Sequence, residues 1–416
     1  MRHGTIELLR CPYCGGRAPL DRSRVHRADS KGVTSGILRC YCSEFPIVGG
    51  IPVMTVEGVA ETAREQVEAG ATDDAWLTMV GQDDPEAAER FAQVCRSASG
   101  TYRNAIEALG PGFAENRYFL YRFSDPTFLV ADAVVRAIAS TVLADDDRAL
   151  DLCGGSGHLT RSLQRVSRTP PVLMDWTFVK LWLAQRFTSP GAEFVCADAH
   201  APLPFAPDAF RFAVCSDAFH YIWSKALLAR EMLRVIDGMG VAALTHAHNA
   251  RQENPSAGMP LPPEGYRDVF EGLDARVFSE RALLEDVIAG RLDLSARHDG
   301  KSLDADPAVT AVATTRADVF VDHFVAAADA STTVETAELR LNPLYEVSRS
   351  AGRATLRLRF PSEEYAKEYA ACVRYLPETL TLDVSVLDAL DRGERPPEIN
   401  DLLSRRVLLD LPESYL

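Results

Sequence analysis

Residues 150–158, with the sequence LDLCGGSGH, constrain the fold of this chain more than any other segment. An apolar run that predicts a buried strand leads into a glycine-rich turn, and a helix-like segment follows. Glycine lets the backbone approach a ligand closely and adopt conformations that other residues avoid. The pattern predicts a strand–turn–helix unit with a candidate cofactor site at the turn. On its own, this turn also fits a nicotinamide or flavin cofactor, or a purely structural role.

Strand-like and helix-like segments alternate after this turn. The predicted strands are residues 171–175, 192–198, 210–216, 241–246, 292–297 and 308–314, and the predicted helices are residues 159–166, 178–187, 223–235 and 279–288. Such alternation is typical of a parallel sheet with helices on both faces. We therefore expect an α/β fold with a doubly wound sheet.

Two acidic residues follow consecutive predicted strands. Asp175 ends the second strand, 24 residues after Asp151, and Asp198 ends the third. The carboxyl ends of parallel strands meet at one edge of a sheet, where ligands bind. A carboxylate at the first position can accept hydrogen bonds from ribose hydroxyls, and one at the second from an adenine amino group. Either acid alone fits a solvated strand end, whereas both in this order favour a nucleoside-containing cofactor.

The next motifs are PLPF at residues 202–205 and FRFAVCSD at residues 210–217, followed by AFHY at 218–221. Together with the glycine turn and the two acids, they resemble the class I S-adenosylmethionine-dependent methyltransferase family, in particular its small-molecule branch. The resemblance covers about residues 149–250, and the family's seven-stranded fold would extend to about residue 316. The sequence departs from the family pattern at Cys153, which replaces a glycine, and at Arg211, which replaces an aspartate.

The resemblance implies S-adenosylmethionine as the cofactor and a set of binding residues from the turn and the following strand ends. These are Asp151, Gly154, Gly155, Gly157, Asp175, Trp176, Asp198, Ala199 and Ser216. His220 and His246, after the fourth and fifth strands, are candidate catalytic residues that orient or deprotonate the acceptor, and His248 is the next candidate. Each histidine equally fits a wall or core position. Tyr118, Tyr121, Arg122 and Phe123 are candidates for a cap over the site, and ordinary helix packing is the alternative.

Four cysteines near the N-terminus form two closely spaced pairs, Cys11 with Cys14 and Cys40 with Cys42. Four thiolates can bind a tetrahedral structural zinc ion, which stabilises a segment too small for a core of its own. Four free thiols are the alternative. Residues 5–55 are similar to the zinc-ribbon family that includes the activator subunit of tRNA and protein methyltransferases. The second pair is spaced Cys-x-Cys, whereas that family has Cys-x-x-Cys.

Composition divides the chain into four predicted parts. They are a zinc ribbon (residues 1–57), a helical cap or linker (58–145), the methyltransferase domain (146–316) and a C-terminal α+β domain (317–416). In the last part the sequence predicts a helix over residues 317–328 and strands near residues 345–348 and 355–360.

The net charge of −15 argues against a nucleic-acid partner, because phosphate binding needs a basic surface. No apolar stretch predicts a membrane span, and the N-terminus lacks the layout of a secretory signal, so we expect a cytoplasmic protein. The predicted function is methylation of a small molecule, for example in secondary metabolism, and a homodimer is compatible with the sequence. The alternatives are an RNA base methyltransferase and a non-catalytic binding or scaffold protein. The segment SDAF at residues 216–219 lacks the motif expected for RNA bases.

Overall fold

The computed structural model describes residues 1–82, 84–110, 113, 118–254, 258–298, 300–325 and 337–416. The N-terminal part consists of a short helix and four strands. These elements are α1 (His3–Ile6), β1 (Leu20–Asp29), β2 (Gly32–Arg39), β3 (Glu44–Val48) and β4 (Ile51–Pro52). The strands form an antiparallel sheet in the order β1-β2-β3-β4. The predicted ribbon is therefore a small antiparallel β structure.

The described residues between 59 and 142 are largely helical, as their periodicity predicts. The helices are α2 (Val59–Glu68), α3 (Thr72–Val80), α4 (Pro85–Arg96), α5 (Tyr102–Leu109) and α6 (Pro126–Val142). Helix α6 begins at Pro126, whose fixed φ suits a first turn, and the Asp125 carboxylate accepts a hydrogen bond from the Phe128 amide at 2.6 Å. Its buried side chains, including Val134 and Ile138, belong to the same hydrophobic core as the central sheet.

The central part alternates strands and helices. Its elements are β5 (Ala149–Leu152), α7 (His158–Val166), β6 (Val172–Asp175), α8 (Phe178–Leu183), β7 (Glu193–Cys196), β8 (Phe210–Ser216), α9 (Lys225–Val235), β9 (Ile236–His248), α10 (Pro263–Asp268), β10 (Ala275–Ser279), α11 (Glu280–Ile288), β11 (Arg291–Asp293), α12 (Gly300–Ala305) and β12 (Ala308–Thr314). Seven strands form one sheet in the order β7-β6-β5-β8-β9-β12-β10. Strand β12 runs antiparallel to both neighbours, and the others are parallel. The predicted α/β fold with a seven-stranded doubly wound sheet is confirmed.

Two sequence predictions for the segments after α11 were wrong. The predicted closing strand at 292–297 shortens to β11, which pairs with β13 (Asp322–Phe324) outside the seven-stranded sheet. The edge position belongs instead to β10, which the sequence did not predict. The helix predicted over residues 317–328 is wrong as well, because the described part contains a 3-10 turn at Ala317–Val319 followed by β13, and residues 326–328 lie outside the described residues.

The C-terminal part has the predicted α+β composition. Its elements are β14 (Ala337–Leu341), β15 (Tyr345–Ser350), β16 (Arg353–Leu358), α13 (Glu363–Glu368), β17 (Thr379–Asp383), α14 (Val384–Asp391), α15 (Ile399–Ser404) and β18 (Leu408–Pro412). It packs against the segment that precedes α6. The Ser124 hydroxyl donates to Asn342 Oδ1 at 2.9 Å, and the Tyr415 hydroxyl donates to the Phe119 carbonyl at 2.7 Å. The C-terminal part is therefore joined to the rest of the molecule by buried contacts.

The N-terminal sheet lies beside β7, the edge strand of the central sheet. The Met54 amide donates to the Cys196 carbonyl at 2.7 Å, and Val53 forms a parallel bridge with Cys196. The Arg10 amide donates to the Pro204 carbonyl at 3.0 Å. The contacts of Val53 and Met54 with Cys196 cover one end of the β7 edge, and the bond to Pro204 joins the N-terminal part to the loop that follows β7. Among the residues that the structure describes, no helix has the length and apolar character required to cross a bilayer.

Candidate active site

A cleft of about 860 Å³ opens where β5, β6, β7 and β8 end. The strand order reverses between β5 and β8, and such a switch point is where open α/β sheets bind ligands. Its walls come from the strand ends, from the segment before α6 and from the C-terminal part. The cleft is therefore built by three separate regions of the chain.

The turn after β5 contains three residues with positive φ, Cys153 at 56°, Gly155 at 56° and Gly157 at 78°. Hydrogen bonds tie it to β6, since the Cys153 amide donates to the Met174 carbonyl at 2.7 Å and the Gly155 amide donates to Asp175 Oδ2 at 3.0 Å. Side chains with a Cβ seldom adopt such φ values. The left-handed conformation at Cys153 explains why a glycine suits this position in the family pattern.

Gly154 and Gly157 are glycines because neighbouring atoms leave no room for a Cβ. A Cβ on Gly154 would lie 2.6 Å from Asp151 Oδ2, and one on Gly157 would lie 2.5 Å from Ser189 Oγ. Gly154 lies on the cleft wall, whereas Gly157 lies behind it, where α7 meets the segment that follows α8. The structure therefore gives Gly157 a packing role.

Asp175 ends β6 with its carboxylate held from two sides. Oδ2 accepts from the Gly155 amide, and Oδ1 accepts from the Thr177 amide at 2.8 Å. A carboxylate has about four acceptor positions, so two remain for a ligand. The neighbouring Trp176 is 60% exposed and lines the cleft. Together they offer an oriented acceptor beside a flat aromatic surface.

Asp198 follows β7 on the same side of the cleft. Its Oδ1 accepts from the His200 amide at 2.8 Å and lies 2.8 Å from His200 Nδ1. Ala199 and His200 also line the cleft. Oδ2 of Asp198 therefore remains available to a donor on a ligand.

Asp151 lies at the base of the cleft and is completely buried. Oδ2 accepts from the Thr160 hydroxyl at 2.6 Å, whereas Oδ1 has no hydrogen-bond partner among the described residues. Burial raises the pKa of this carboxyl to about 7, and the nearby Asp175 acts in the same direction. An unpaired buried carboxylate is costly, so a cationic group bound in the cleft would stabilise it.

Aromatic residues cover the cleft from the side opposite the strands. Of the predicted cap residues, Tyr118 and Arg122 line it from the segment before α6, together with Phe119, whereas Tyr121 and Phe123 do not. Glu368 and Tyr369 of the C-terminal part complete this wall, with the Tyr118 and Tyr369 ring centroids 6.1 Å apart. The sequence offered no signal for these two residues, because the contact joins segments that are distant in the chain.

Eight of the nine residues predicted to bind a cofactor line this cleft, and their binding roles stay predictions. They are Asp151, Gly154, Gly155, Asp175, Trp176, Asp198, Ala199 and Ser216. Asp217, next to Ser216, also lines the cleft and is ion-paired with Arg122 at 3.0 Å. Its place at the end of β8 was a signal that could have identified it from the sequence.

His220 lies in a 3-10 turn (Phe219–Tyr221) after β8 and does not line the cleft. It is 1% exposed, its carbonyl accepts from the Met259 amide at 2.8 Å, and its ring stacks on that of His248 with the centroids 3.7 Å apart. Burial lowers the pKa of His220 to about 4, so the ring is neutral at pH 7. Its predicted catalytic role stays a prediction, and Tyr221 lines the cleft in its place.

His246 lies near the end of β9 and is bound to Glu280. Its amide donates to Glu280 Oε1 at 2.6 Å, and its Nδ1 lies 2.7 Å from Glu280 Oε2. Burial opposes the charged form, but the carboxylates of Glu280 and Asp217 outweigh it and raise the pKa of His246 to about 9. A ring that is protonated at neutral pH is a poor proton acceptor, which disfavours the predicted role as a general base.

The four N-terminal cysteines come together as predicted. Cys11 Sγ lies 3.6 Å from Cys42 Sγ, Cys14 Sγ lies 4.0 Å from Cys40 Sγ, and Cys40 Sγ lies 3.7 Å from Cys42 Sγ. Four sulfur atoms at about 2.3 Å from one zinc ion are separated by roughly 3.8 Å in a tetrahedral site. The Cys-x-Cys spacing of the second pair is therefore compatible with a four-cysteine zinc site.

Residues 149–240 match the sequence model of a family described as a methyltransferase domain. This segment therefore carries the sequence pattern of a methyltransferase domain. The match runs from β5 into β9 and includes the glycine turn, Asp175 and Asp198. It covers less than half of the chain, and neither the ribbon nor the C-terminal part belongs to it.

Two solved structures are similar to part of this chain at low sequence identity. The complex of the Haloferax volcanii Trm112 methyltransferase activator with its methyltransferase is 15% identical, with 44% of this chain and 88% of that chain covered at a TM-score of 0.34. An S-adenosylmethionine-dependent methyltransferase from Mesorhizobium loti is 15% identical, with 41% of this chain and 93% of that chain covered at a TM-score of 0.32. No match was found among curated proteins. Similarity at this level identifies neither substrate nor partner.

Proposed function

We propose that the chain is an S-adenosylmethionine-dependent methyltransferase that acts on a small molecule. The observation that carries this proposal is the meeting of three carboxylates, Asp151, Asp175 and Asp198, around the glycine turn of a methyltransferase domain. Each carboxylate keeps at least one oxygen position available to a ligand in the hydrogen-bond pattern described above.

The three carboxylates fit the donor groups of S-adenosylmethionine. Asp175 would accept from the ribose hydroxyls, Asp198 from the adenine amino group, and the unpaired Oδ1 of Asp151 would accept from the ammonium group. Trp176 would cover the adenine plane. When bound, the cofactor supplies a methyl group activated on a sulfonium.

The remaining work of the protein is to bind and align the acceptor and to keep water away. Methyl transfer depends strongly on alignment, and rigid walls supply it. The rings of Tyr118, Tyr221 and Tyr369 line the cleft and offer an apolar surface to an acceptor. The cleft volume lies within the range of small-molecule sites, and the net charge of −15 disfavours a polyphosphate substrate.

Calorimetry with S-adenosylmethionine tests the cofactor assignment. We expect Asp175→Ala and Asp175→Asn to weaken binding by about 10-fold or more, the scale of a lost hydrogen bond to a charged group. Asp268→Ala removes an exposed acid of α10 and serves as the matched control, with unchanged affinity. Equal affinities in all four proteins would contradict the assignment.

The acceptor class requires a separate assay. A small-molecule enzyme should transfer labelled methyl groups to extracts of low molecular weight and leave purified RNA unlabelled. Labelling of RNA that falls steeply with added salt would overturn the small-molecule part of the proposal while leaving the cofactor assignment intact.

A further inference from the structure

A cluster of histidine and carboxylate side chains lies at the carboxyl ends of β8 and β9. Asp217, His246 and His248 each offer one ligand atom, and these three atoms lie within 4.8 Å of one another. The distance between His248 Nε2 and Asp217 Oδ1 is 3.6 Å. Two ligands at about 2.1 Å from one ion are roughly 3.0 to 3.5 Å apart in octahedral or tetrahedral sites. A small side-chain adjustment would therefore bring these atoms to metal-binding separations.

The hydrogen bonds around the cluster leave the required ligand atoms available. Arg122 binds Asp217 through Oδ2, and Oδ1 is the oxygen that faces His248. Glu280 binds His246 at Nδ1, so an ion would bind at Nε2 and displace the proton of that nitrogen. Glu280 is itself held by the Thr310 hydroxyl at 2.9 Å. A carboxylate on the second nitrogen of a ligating histidine is the usual outer support of a metal site.

Backbone strain coincides with two of the three residues. Asp217 has φ 52° and His246 has φ 50°, although neither is a glycine. Such conformations cost about 1 to 3 kcal/mol and persist where the surroundings enforce them, often at functional sites. The Asp217 amide donates to the Thr245 carbonyl at 2.9 Å, so the two strained strand ends are bonded to each other.

The buried ring of His220 indicates independently that this region binds a group other than the polypeptide. Its ring stacks on that of His248, it is 99% buried, and neither ring nitrogen has a hydrogen-bond partner within the part of the chain that the structure describes. Buried polar atoms normally have partners. A water molecule on an ion held by the neighbouring residues would provide one.

We propose that Asp217, His246 and His248 bind one divalent transition-metal ion, such as zinc or ferrous iron, at the wall of the cleft. Two imidazoles and one carboxylate suit these ions and leave coordination positions open. Asp217 lines the cleft, so the open positions would face the acceptor. If the proposed methyltransferase function holds, the ion would select acceptors with a hydroxyl next to a second oxygen donor and lower the pKa of that hydroxyl.

Cobalt(II) is a suitable probe because thiolate ligands give it intense charge-transfer bands, whereas nitrogen and oxygen ligands do not. The full chain with zinc in the ribbon is titrated with cobalt(II) and followed by visible absorption and calorimetry. We expect about one cobalt per chain without thiolate bands, or an equivalent second metal already present on elemental analysis. Asp217→Asn and His248→Gln should each weaken cobalt binding at least 10-fold.

Glu280→Gln tests the positioning role of Glu280 and should weaken cobalt binding about 10- to 100-fold. His26→Ala removes an exposed histidine of β1 and is the matched control. Binding of S-adenosylmethionine, measured for every variant, separates a failed fold from a lost metal and is itself independent of the metal proposal. The absence of any metal beyond the ribbon zinc, or equal cobalt affinity in all variants, would overturn the proposal.

Discussion

The replacement Asp151→Asn tests the electrostatic description of the cleft. Burial raises the pKa of Asp151 from 3.8 to about 7. A carboxyl group with a raised pKa binds its proton more tightly in the folded protein than in the unfolded chain. Its stabilising effect is fully present below the unfolded value of 3.8 and is lost as the pH rises through about 7. The amide of asparagine has nearly the same shape and does not titrate.

The expected magnitude follows from the shift of about 3 pKa units, which corresponds to an upper bound of about 4 kcal/mol. We expect the free energy of unfolding of the wild type to fall relative to Asp151→Asn by up to this amount between about pH 4 and about pH 8. Urea unfolding of both proteins without added cofactor measures the difference, and the contributions of other titrating groups cancel. A difference that stays constant with pH would refute the reasoning.

The same pair of proteins links this carboxyl to the proposed cofactor. A cation bound beside Asp151 lowers its pKa, so S-adenosylmethionine should bind the wild type more tightly at about pH 8 than at about pH 5. The affinity of Asp151→Asn should be weaker and should vary less with pH. An identical pH dependence in both proteins would place the ammonium group elsewhere.

Two further predictions concern packing and the ribbon. Gly157→Ala should destabilise the protein by about 1 to 3 kcal/mol more than Gly393→Ala. Both glycines have similar positive φ values, but only at Gly157 would the added Cβ lie as close as 2.5 Å to another atom. Equal losses of stability in urea unfolding would contradict the packing role. Metal analysis should find about one zinc bound by the ribbon in the wild type and in the control Cys95→Ser, and none there in Cys11→Ser. A ribbon that stays folded without zinc would contradict a structural role for the metal.

Local sequence patterns were sufficient for the strands that carry the cofactor site. Strands β5, β6 and β7 are short, mainly apolar runs with all residues buried, and a glycine turn or an acid lies at or just after the end of each. Strand β10 escaped prediction because Arg276 interrupts its apolar run, and the Arg276 guanidinium lies 3.9 Å from the Phe320 ring centroid. Its place at the sheet edge depends on pairing with β12, which no local pattern shows.

The wrong helix over residues 317–328 has a related cause. Its apolar residues fit a helical period, yet Asp322–Phe324 pair with β11 across the chain, and tertiary pairing overrides the local preference. The cleft wall formed by Tyr369 and the buried contact of Tyr415 with Phe119 join segments about 250 to 300 residues apart. His246 and His248, by contrast, are two residues apart on one strand and so share a face, a signal that was present in the sequence.

The position of the ribbon beside β7 has a consequence for handling the protein. An uncovered edge strand presents unpaired amide and carbonyl groups to other chains and promotes self-association. The contact of Met54 and Val53 with Cys196 shields part of that edge. Chelators or deletion of the first 57 residues should therefore yield sheet-mediated aggregates, and a shortened chain with the same methyltransferase core would be a poor substitute for the full one.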